Sequence, residues 1–367
     1  MKITFVLPTF SSHPSGGYKV VYEYANRLAE LEHKVTIVHC AWALLPENIL
    51  APKRIKQKIK NYLRPYKYKY FPIKMEPSWF KFTNKVNSIC VPYLIATYLP
   101  KSDVIVATAW QTAEWVRTYP NILGHKFYLI HDYEYYMTAD YVNKMRMHST
   151  YNSGMFNIVT SPATVEMLKE CGATVNEYIP NGIDFKIFRL DTNIENRSQI
   201  CIGFPSRSEK FKGTEDAIEA LNIVRSKLGI SLNVWSFGRS RLNYIPDWVE
   251  YYESPSDDLL RTLYNRSSIF VVASHYEGWG LPGAEAMACG ATLVSTDNGG
   301  VRAYADHEKT SLLSPPKDPE TLARNIIRLI QDPNLRTRLA KQGNQNIQQY
   351  TWEHAVAAFE KCLKQKL

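Results

Sequence analysis

The first forty residues most narrow what this chain can fold into. Residues 2–7 form an apolar run ended by Pro8, and a polar loop carrying Gly16 and Gly17 follows. Apolar residues then recur at helical spacing (Val20, Val21, Tyr24, Ala25, Leu28 and Leu31) before a second apolar run at 35–38. Strand, glycine turn, helix and strand in that order is the βαβ unit of a doubly wound sheet. The alternation resumes at 103–107 and 127–130, with a helical stretch from about Gln111 between them. It continues through a strand from Ile158, a helix over 162–171 and a strand at 177–179. Pro180-Asn181-Gly182 is turn chemistry and reads as a domain boundary.

A second series begins at Ile200. A strand at 201–204 leads through a polar loop to Gly213 and a helix over 214–228, then a strand at 232–237 ending at Gly238. A helix over 257–266 precedes a buried strand at 268–273. Residues 282–289 read as a helix with proline in its first turn and Gly290 as its stop. A strand at 292–296 and helices over about 319–331, 334–350 and 352–367 complete the chain. The expected fold class is α/β, with two doubly wound domains facing each other across a cleft. The length of 367 residues fits two domains at roughly 150 residues each.

Several classes are excluded by composition. The longest apolar runs fall far short of the about 20 residues that cross a bilayer, and the amino terminus reads as a strand rather than a secretory signal. Cysteines at 40, 90, 171, 201, 289 and 362 form no CxxC pair, a reduced cytosolic pattern that predicts neither disulfides nor a zinc site. The net charge is +9, and the window 53–85 alone carries +10, with eleven basic residues against Glu76. Lys53, Arg54, Lys56, Lys58, Lys60 and Arg64 lead that window, and Tyr62, Tyr66, Tyr68, Tyr70, Phe71, Trp79, Phe80 and Phe82 interleave it. It reads either as a surface for an anionic membrane or acceptor, or as a solvated insertion whose aromatics pack onto the first domain. Nucleic acid is not expected, because no nucleic-acid motif accompanies the charge.

Two groups of residues carry chemistry. Arg207 and Lys212 lie in the loop after the second domain's first strand, where open α/β sheets bind ligands. With the helix start near Gly213 they make a place for a diphosphate, although a solvated basic loop would look the same. Glu277 follows a buried strand, and Glu285 is placed in the opening turn of the next helix. A carboxylate accepts two hydrogen bonds, which suits vicinal hydroxyls, and Gly278, Gly280 and Gly283 let backbone approach a ligand. The plainer reading is a helix-start glutamate and a glycine turn.

The stretch from Ser274 to Gly290, with Glu277 and Glu285 eight apart, closely resembles the E-x7-E signature of family-four retaining glycosyltransferases of the GT-B fold. Six further matches follow the family in chain order: Gly16-Gly17, His131-Asp132, Pro180 to Asp184, Arg207 with Lys212-Gly213, Asn298-Gly299-Gly300 and Trp352-Glu353. The resemblance implies an N-terminal Rossmann-like acceptor domain over 1–184, including segment 53–85 and a returning C-terminal helix over 351–367. Residues 185–350 would then be a Rossmann-like donor domain. It implies that Arg207 and Lys212 hold the donor's pyrophosphate, Glu285 the ribose and Glu277 the transferred sugar. Backbone from Gly278 through Trp279 and Gly280 to Leu281 joins Glu277. Gly16 and Gly17 would approach the distal phosphate or the acceptor, and His131 would line the sugar side. Trp279 stands where phenylalanine is commoner, and segment 53–85 matches no family motif.

The sequence contains no Asp-x-Asp pair of the kind that metal-dependent sugar transfer uses. Arg207 and Lys212 are therefore expected to neutralise the leaving diphosphate, with no metal or other cofactor. The expected reaction is transfer of a hexose-type sugar with retention, the leaving phosphate oxygen taking the acceptor's proton. His131 is expected to orient the sugar, with general-base and purely structural roles as alternatives. The expected partners are a nucleotide sugar (UDP, GDP or dTDP), a glycan or lipid-linked acceptor of envelope polysaccharide synthesis, and an anionic membrane surface. The expected location is cytoplasmic, peripheral on the inner face of the plasma membrane. A GT-B-fold 2-epimerase, a phosphorylase using pyridoxal phosphate and a non-catalytic nucleotide-sugar binder are the competing classes.

Overall fold

The computed structural model describes residues 1–41, 72–132, 141–197 and 199–367. They form two compact units, each built on its own sheet. The first comprises Met1–Val159, Val165–Ile179 and Val356–Leu367, the second Thr160–Thr164 and Pro180–Ala355. Lys53, Arg54, Lys56, Lys58, Lys60 and Arg64 lie outside the described residues. Among the described residues, no helix is long and apolar enough to cross a membrane.

The first unit holds β1 (Lys2–Leu7), β2 (Lys34–Cys40), β3 (Ile73–Lys74), β4 (Val86–Val91), β5 (Val104–Ala107), β6 (His125–Ile130), β7 (Phe156–Val159) and β8 (Glu177–Tyr178). Their order across the sheet is β3-β4-β2-β1-β5-β6-β7-β8. Among the described strands of this sheet, only β3 runs antiparallel to its neighbour. β1 is central and buried from Ile3 to Leu7, as a strand covered on both faces must be. The chain order reverses between β1 and β5, so the loops after these strands mark the unit's switch point. Gly16 and Gly17 are not in a loop. They are the first two residues of the helix Gly16–Glu30, exposed at its start, and its apolar stripe of Val20, Val21, Tyr24 and Leu28 is buried. The last helix, Trp352–Lys364, sets Phe359 against Phe5 and Tyr24 at ring distances of 6.1 and 4.6 Å.

The described end of the basic window packs onto this unit. Trp79, Phe80 and Phe82 gather around Tyr22 of the first helix, at 5.4, 5.1 and 4.8 Å between rings. The Trp79 indole N–H donates to the Ser11 carbonyl at 3.0 Å, and Asn26 bonds the backbone of Lys81 and Thr83. For residues 79–82 the aromatics therefore serve the core.

The second unit holds β9 (Cys201–Pro205), β10 (Asn233–Gly238), β11 (Val249–Glu253), β12 (Ile269–Val272), β13 (Thr292–Thr296) and β14 (Ser311–Ser314). They are wholly parallel in the order β11-β10-β9-β12-β13-β14. The reversal here falls between β9 and β12. Helices Thr214–Leu228 and Pro319–Gln331 cover one face, placing Ala217, Leu221, Val224, Leu322 and Ile326 in a common core with Ile202 and Val271.

His39 links packing to pH. It is fully buried on β2, and its Nδ1–H donates to the Thr9 carbonyl at 3.1 Å, since a carbonyl can only accept. Burial pushes its pKa down to about 4, and burial does the same to His131 at the end of β6. The unfolded chain, titrating near 6.5, therefore takes up these protons first as the pH falls. Stability is expected to drop between pH 6.5 and about 4, by roughly 1.4 kcal/mol per pH unit for each histidine. His39→Asn keeps a donor at the Nδ1 position without a titrating group. Urea midpoints of this variant measured across that range should fall about half as steeply as those of the native chain.

Candidate active site

The second unit's site is built by the two loops at its switch point. The loop 206–213 follows β9, and Thr214 closes it: the Thr214 hydroxyl accepts from the Arg207 N–H at 2.9 Å and donates to the Arg207 carbonyl at 2.8 Å. The Arg207 guanidinium donates through Nη1 to the carbonyls of Ser206 and Phe237 at 2.8 and 3.3 Å, and lies 5.4 Å from the Phe237 ring centre. Gly213 ends the loop at φ 63°, and a Cβ there would stand 1.9 Å from the Ala273 carbonyl oxygen. Only glycine lets the first loop lie this close to the strand end that opens the second.

That second loop, 273–280, is fastened to the first by several hydrogen bonds. The His275 N–H donates to the Phe211 carbonyl at 2.7 Å, and His275 Nε2 lies 2.7 Å from Asp216 Oδ2 in the helix after the first loop. Lys212 Nζ donates to Glu277 Oε2 at 2.9 Å, while the Ser274 hydroxyl donates to Glu277 Oε1 at 2.7 Å. The two charged side chains are about four-fifths buried, 21% and 16% exposed. On its other side Glu277 bridges to Gly299. Gly300 follows, and a Cβ there would stand 2.7 Å from the Glu277 carbonyl. The Asn298-Gly299-Gly300 turn thus has a packing cause, and Asn298 Oδ1 caps it by accepting from the Val301 N–H at 3.0 Å.

Glu285 is not in the first turn of its helix. The helix is Leu281–Ala288, so Glu285 is its fifth residue, with no acid in the first turn. The difference arises at Gly280, whose left-handed φ of 91° makes it the N-cap. Glu285 is buried, accepting from the Tyr264 hydroxyl at 3.4 Å. Tyr304 feels the charge of both glutamates, and its hydroxyl donates to the Gly280 carbonyl at 2.9 Å. Burial first, then the charges of Glu277 and Glu285, push its pKa well up, so it stays a neutral donor. The Trp279 ring packs on Tyr304 at 4.8 Å and is buried in the core, so the side chain is committed to packing. Gly278 is buried, while Gly280 and Leu281 are partly exposed.

The structure therefore brings Lys212 and Glu277 into direct contact and sets Arg207 in the loop that carries Lys212. Gly16, Gly17 and His131 belong to the first unit, at the carboxyl ends of β1 and β6. Both His131 ring nitrogens are shielded from solvent. The sequence reading missed Thr214, Asp216, Ser274, His275, Tyr264 and Tyr304. Of these, only Ser274, three residues before Glu277 at a strand end, stood where a spacing argument could have found it.

Residues 189–346 match the family model described as glycosyl transferases group 1. The capsular polysaccharide biosynthesis glycosyltransferase CapM of Staphylococcus aureus is 24% identical over 303 residues, 75% of this chain and 78% of that one. A D-inositol 3-phosphate glycosyltransferase of Streptomyces bingchenggensis is 29% identical over 172 residues, 46% of this chain and 33% of its own length. The chain thus spans about a third of that relative. Anabaena HepE, solved with UDP and glucose, superposes over all of both chains with a TM-score of 0.74 at 16% identity. The loop contact at Gly213 offers a check on the geometry. Gly213→Ala combines a left-handed φ with a steric clash, and should lower the urea-derived stability by about 2–4 kcal/mol. The chain thus has the two-sheet GT-B fold, and its second unit matches the group 1 glycosyl transferases over 189–346.

Proposed function

We propose that this chain is a retaining glycosyltransferase that moves a hexose-type sugar from a nucleoside diphosphate to a hydroxyl acceptor without a metal. The observation that carries the reading is the Lys212–Glu277 pair at the switch point, with Arg207 in the same loop and Glu285 in the following helix. Lys212 and Arg207 supply two cations for a diphosphate. Glu277 and Glu285 supply acceptors for hydroxyls of the sugar and of the ribose. Cations of this kind stabilise the leaving diphosphate most as its negative charge grows, which lowers the barrier to breaking the bond from the anomeric carbon to the phosphate oxygen. The acceptor oxygen bonds the anomeric carbon on the same face, and its proton passes to the departing phosphate oxygen. His131 orients the sugar as a neutral imidazole, consistent with the downward push that burial gives it.

The acceptor is a glycan or lipid-linked saccharide of envelope polysaccharide synthesis. The similarity to CapM supports this, as does the basic window at 53–85, which suits an anionic membrane face. The enzyme then works in the cytoplasm, held peripherally at the membrane. Liposomes of anionic lipid at low salt should retain it, and neutral liposomes should not.

A thermal-shift panel of UDP, GDP, dTDP and ADP, with and without EDTA, tests the donor site. A nucleotide at 100 times its dissociation constant adds roughly 2.7 kcal/mol to stability. One nucleotide should shift the chain, EDTA should change nothing, and Lys212→Ala should abolish the shift. No shift with any of the four would remove the reading. NMR of the product anomer tests retention, and incubation without acceptor, followed for a changed sugar, separates an epimerase. Gly17 tests the first unit: a Cβ there meets nothing within 4 Å. Gly17→Ala should hold or raise stability, by up to about 1 kcal/mol in a helix. Turnover should nonetheless fall at least tenfold if a ligand must reach that helix start.

A further inference from the structure

Lys212 and Glu277 are assigned to different parts of one donor, the diphosphate and the sugar, yet here they hold each other. Lys212 Nζ lies 2.9 Å from Glu277 Oε2, and the Ser274 hydroxyl at 2.7 Å fixes the other carboxylate oxygen. Glu277 is further tied by its backbone, its N–H donating to the Asn298 carbonyl at 3.0 Å. The carboxylate is therefore stationary, and the lysine, on its flexible stem beside the Phe211 ring, is the partner able to turn.

We propose that Glu277 competes with the donor's diphosphate for Lys212, so that the site favours a sugar-bearing nucleotide over the bare nucleoside diphosphate. This rests on the donor-site reading given above. A diphosphate that draws Lys212 away leaves Glu277 as an anion in a largely buried place without its cation, next to an incoming anion. Breaking such a pair from one side is costly because a charge is left uncompensated. Hydroxyls of a bound hexose can donate to the freed carboxylate and offset the loss. A nucleotide without sugar cannot. The same competition acts after transfer: once the sugar has left, Glu277 recovers Lys212 and weakens the hold on the product.

Isothermal titration of the intact chain tests this, using whichever of UDP, GDP, dTDP and ADP binds best, and its hexose derivative (UDP-glucose in the case of UDP). Glu277→Gln keeps the shape and removes the competing charge. It should bind the bare nucleotide about 3–10-fold tighter than the native chain, while its preference for the hexose derivative falls. Glu209→Gln is the control, because it removes an exposed carboxylate from the loop that carries Lys212 without touching Glu277. It should change the affinity less than twofold. Unchanged or weaker binding of the bare nucleotide by Glu277→Gln overturns the proposal. Equal tightening by both variants also overturns it, since a general field would then explain the effect. Should Glu277→Gln fail to fold, Glu277→Asp withdraws the carboxylate from Lys212 and carries the same expectation at smaller size. A native chain that binds none of the four nucleotides refutes the donor-site reading itself, and this outcome is distinct from the other two.

Discussion

The second unit's chemistry depends on one close approach, that of Gly213 to the carbonyl end of β12. Two neighbouring parallel strands lie about 4.8 Å apart, and the loops leaving their carboxyl ends would ordinarily diverge over different helices. Here the first loop turns back through a left-handed glycine and lies against the second. The pairing of Lys212 with Glu277 follows from that contact. The His275 N–H reaches the Phe211 carbonyl, and Lys212 ends up beside Glu277 although 65 residues separate them in sequence. The strand pairing below is equally tight. Gly203 on β9 faces the fully buried Trp235 ring at a distance no Cβ could share, and the Trp235 indole is fixed by donating to the Ser267 hydroxyl at 2.8 Å.

Periodicity made most of the fold legible. The helices Thr214–Leu228, Asp257–Arg266 and Pro319–Gln331 and the strand Thr292–Thr296 have the bounds that capping residues and apolar spacing predict. Four strands were missed, each for a local reason. β4 carries Asn87 and Ser88 in its middle, β11 begins and ends beside acids, β14 has two leucines between serines, and β3 is two residues long. These lie at or near sheet edges, where burial is one-sided and the apolar signal is correspondingly diluted.

The site was legible as an inventory and not as an arrangement. Strand ends and glycine turns pointed to Arg207, Lys212 and Glu277, because functional loops cluster at those ends. Nothing in a linear pattern says that Lys212 turns to Glu277, that Ser274 holds the other oxygen, or that His275 meets Asp216. These are long-range pairings set by the approach of two loops. Glu285 shows the smaller version of the difficulty. Its side chain is positioned by burial against Tyr264 and not by a helix start, a distinction decided by whether the helix opens at Leu281 or at Pro282. Trp279 shows the opposite case, since a residue inside a binding motif is used for the core.

The formal charges of Arg207 and Lys212 balance those of Glu277 and Glu285, and the groups that touch them are mostly neutral donors. Ser274 and Tyr264 donate to the carboxylates, while backbone carbonyls take the Arg207 guanidinium. A site arranged this way is stable when empty, because Lys212 and Glu277 compensate each other while Arg207 and Glu285 have hydrogen-bond partners of their own. On the proposed donor-site reading it would also respond to a ligand in a definite manner. An anion alone upsets the balance, whereas an anion joined to a set of hydroxyls restores it, with cations serving the phosphates and carboxylates serving the hydroxyls. Under the proposed function, recognition of the whole donor would then come from how charge is redistributed among four side chains, without a pocket shaped around each part of it.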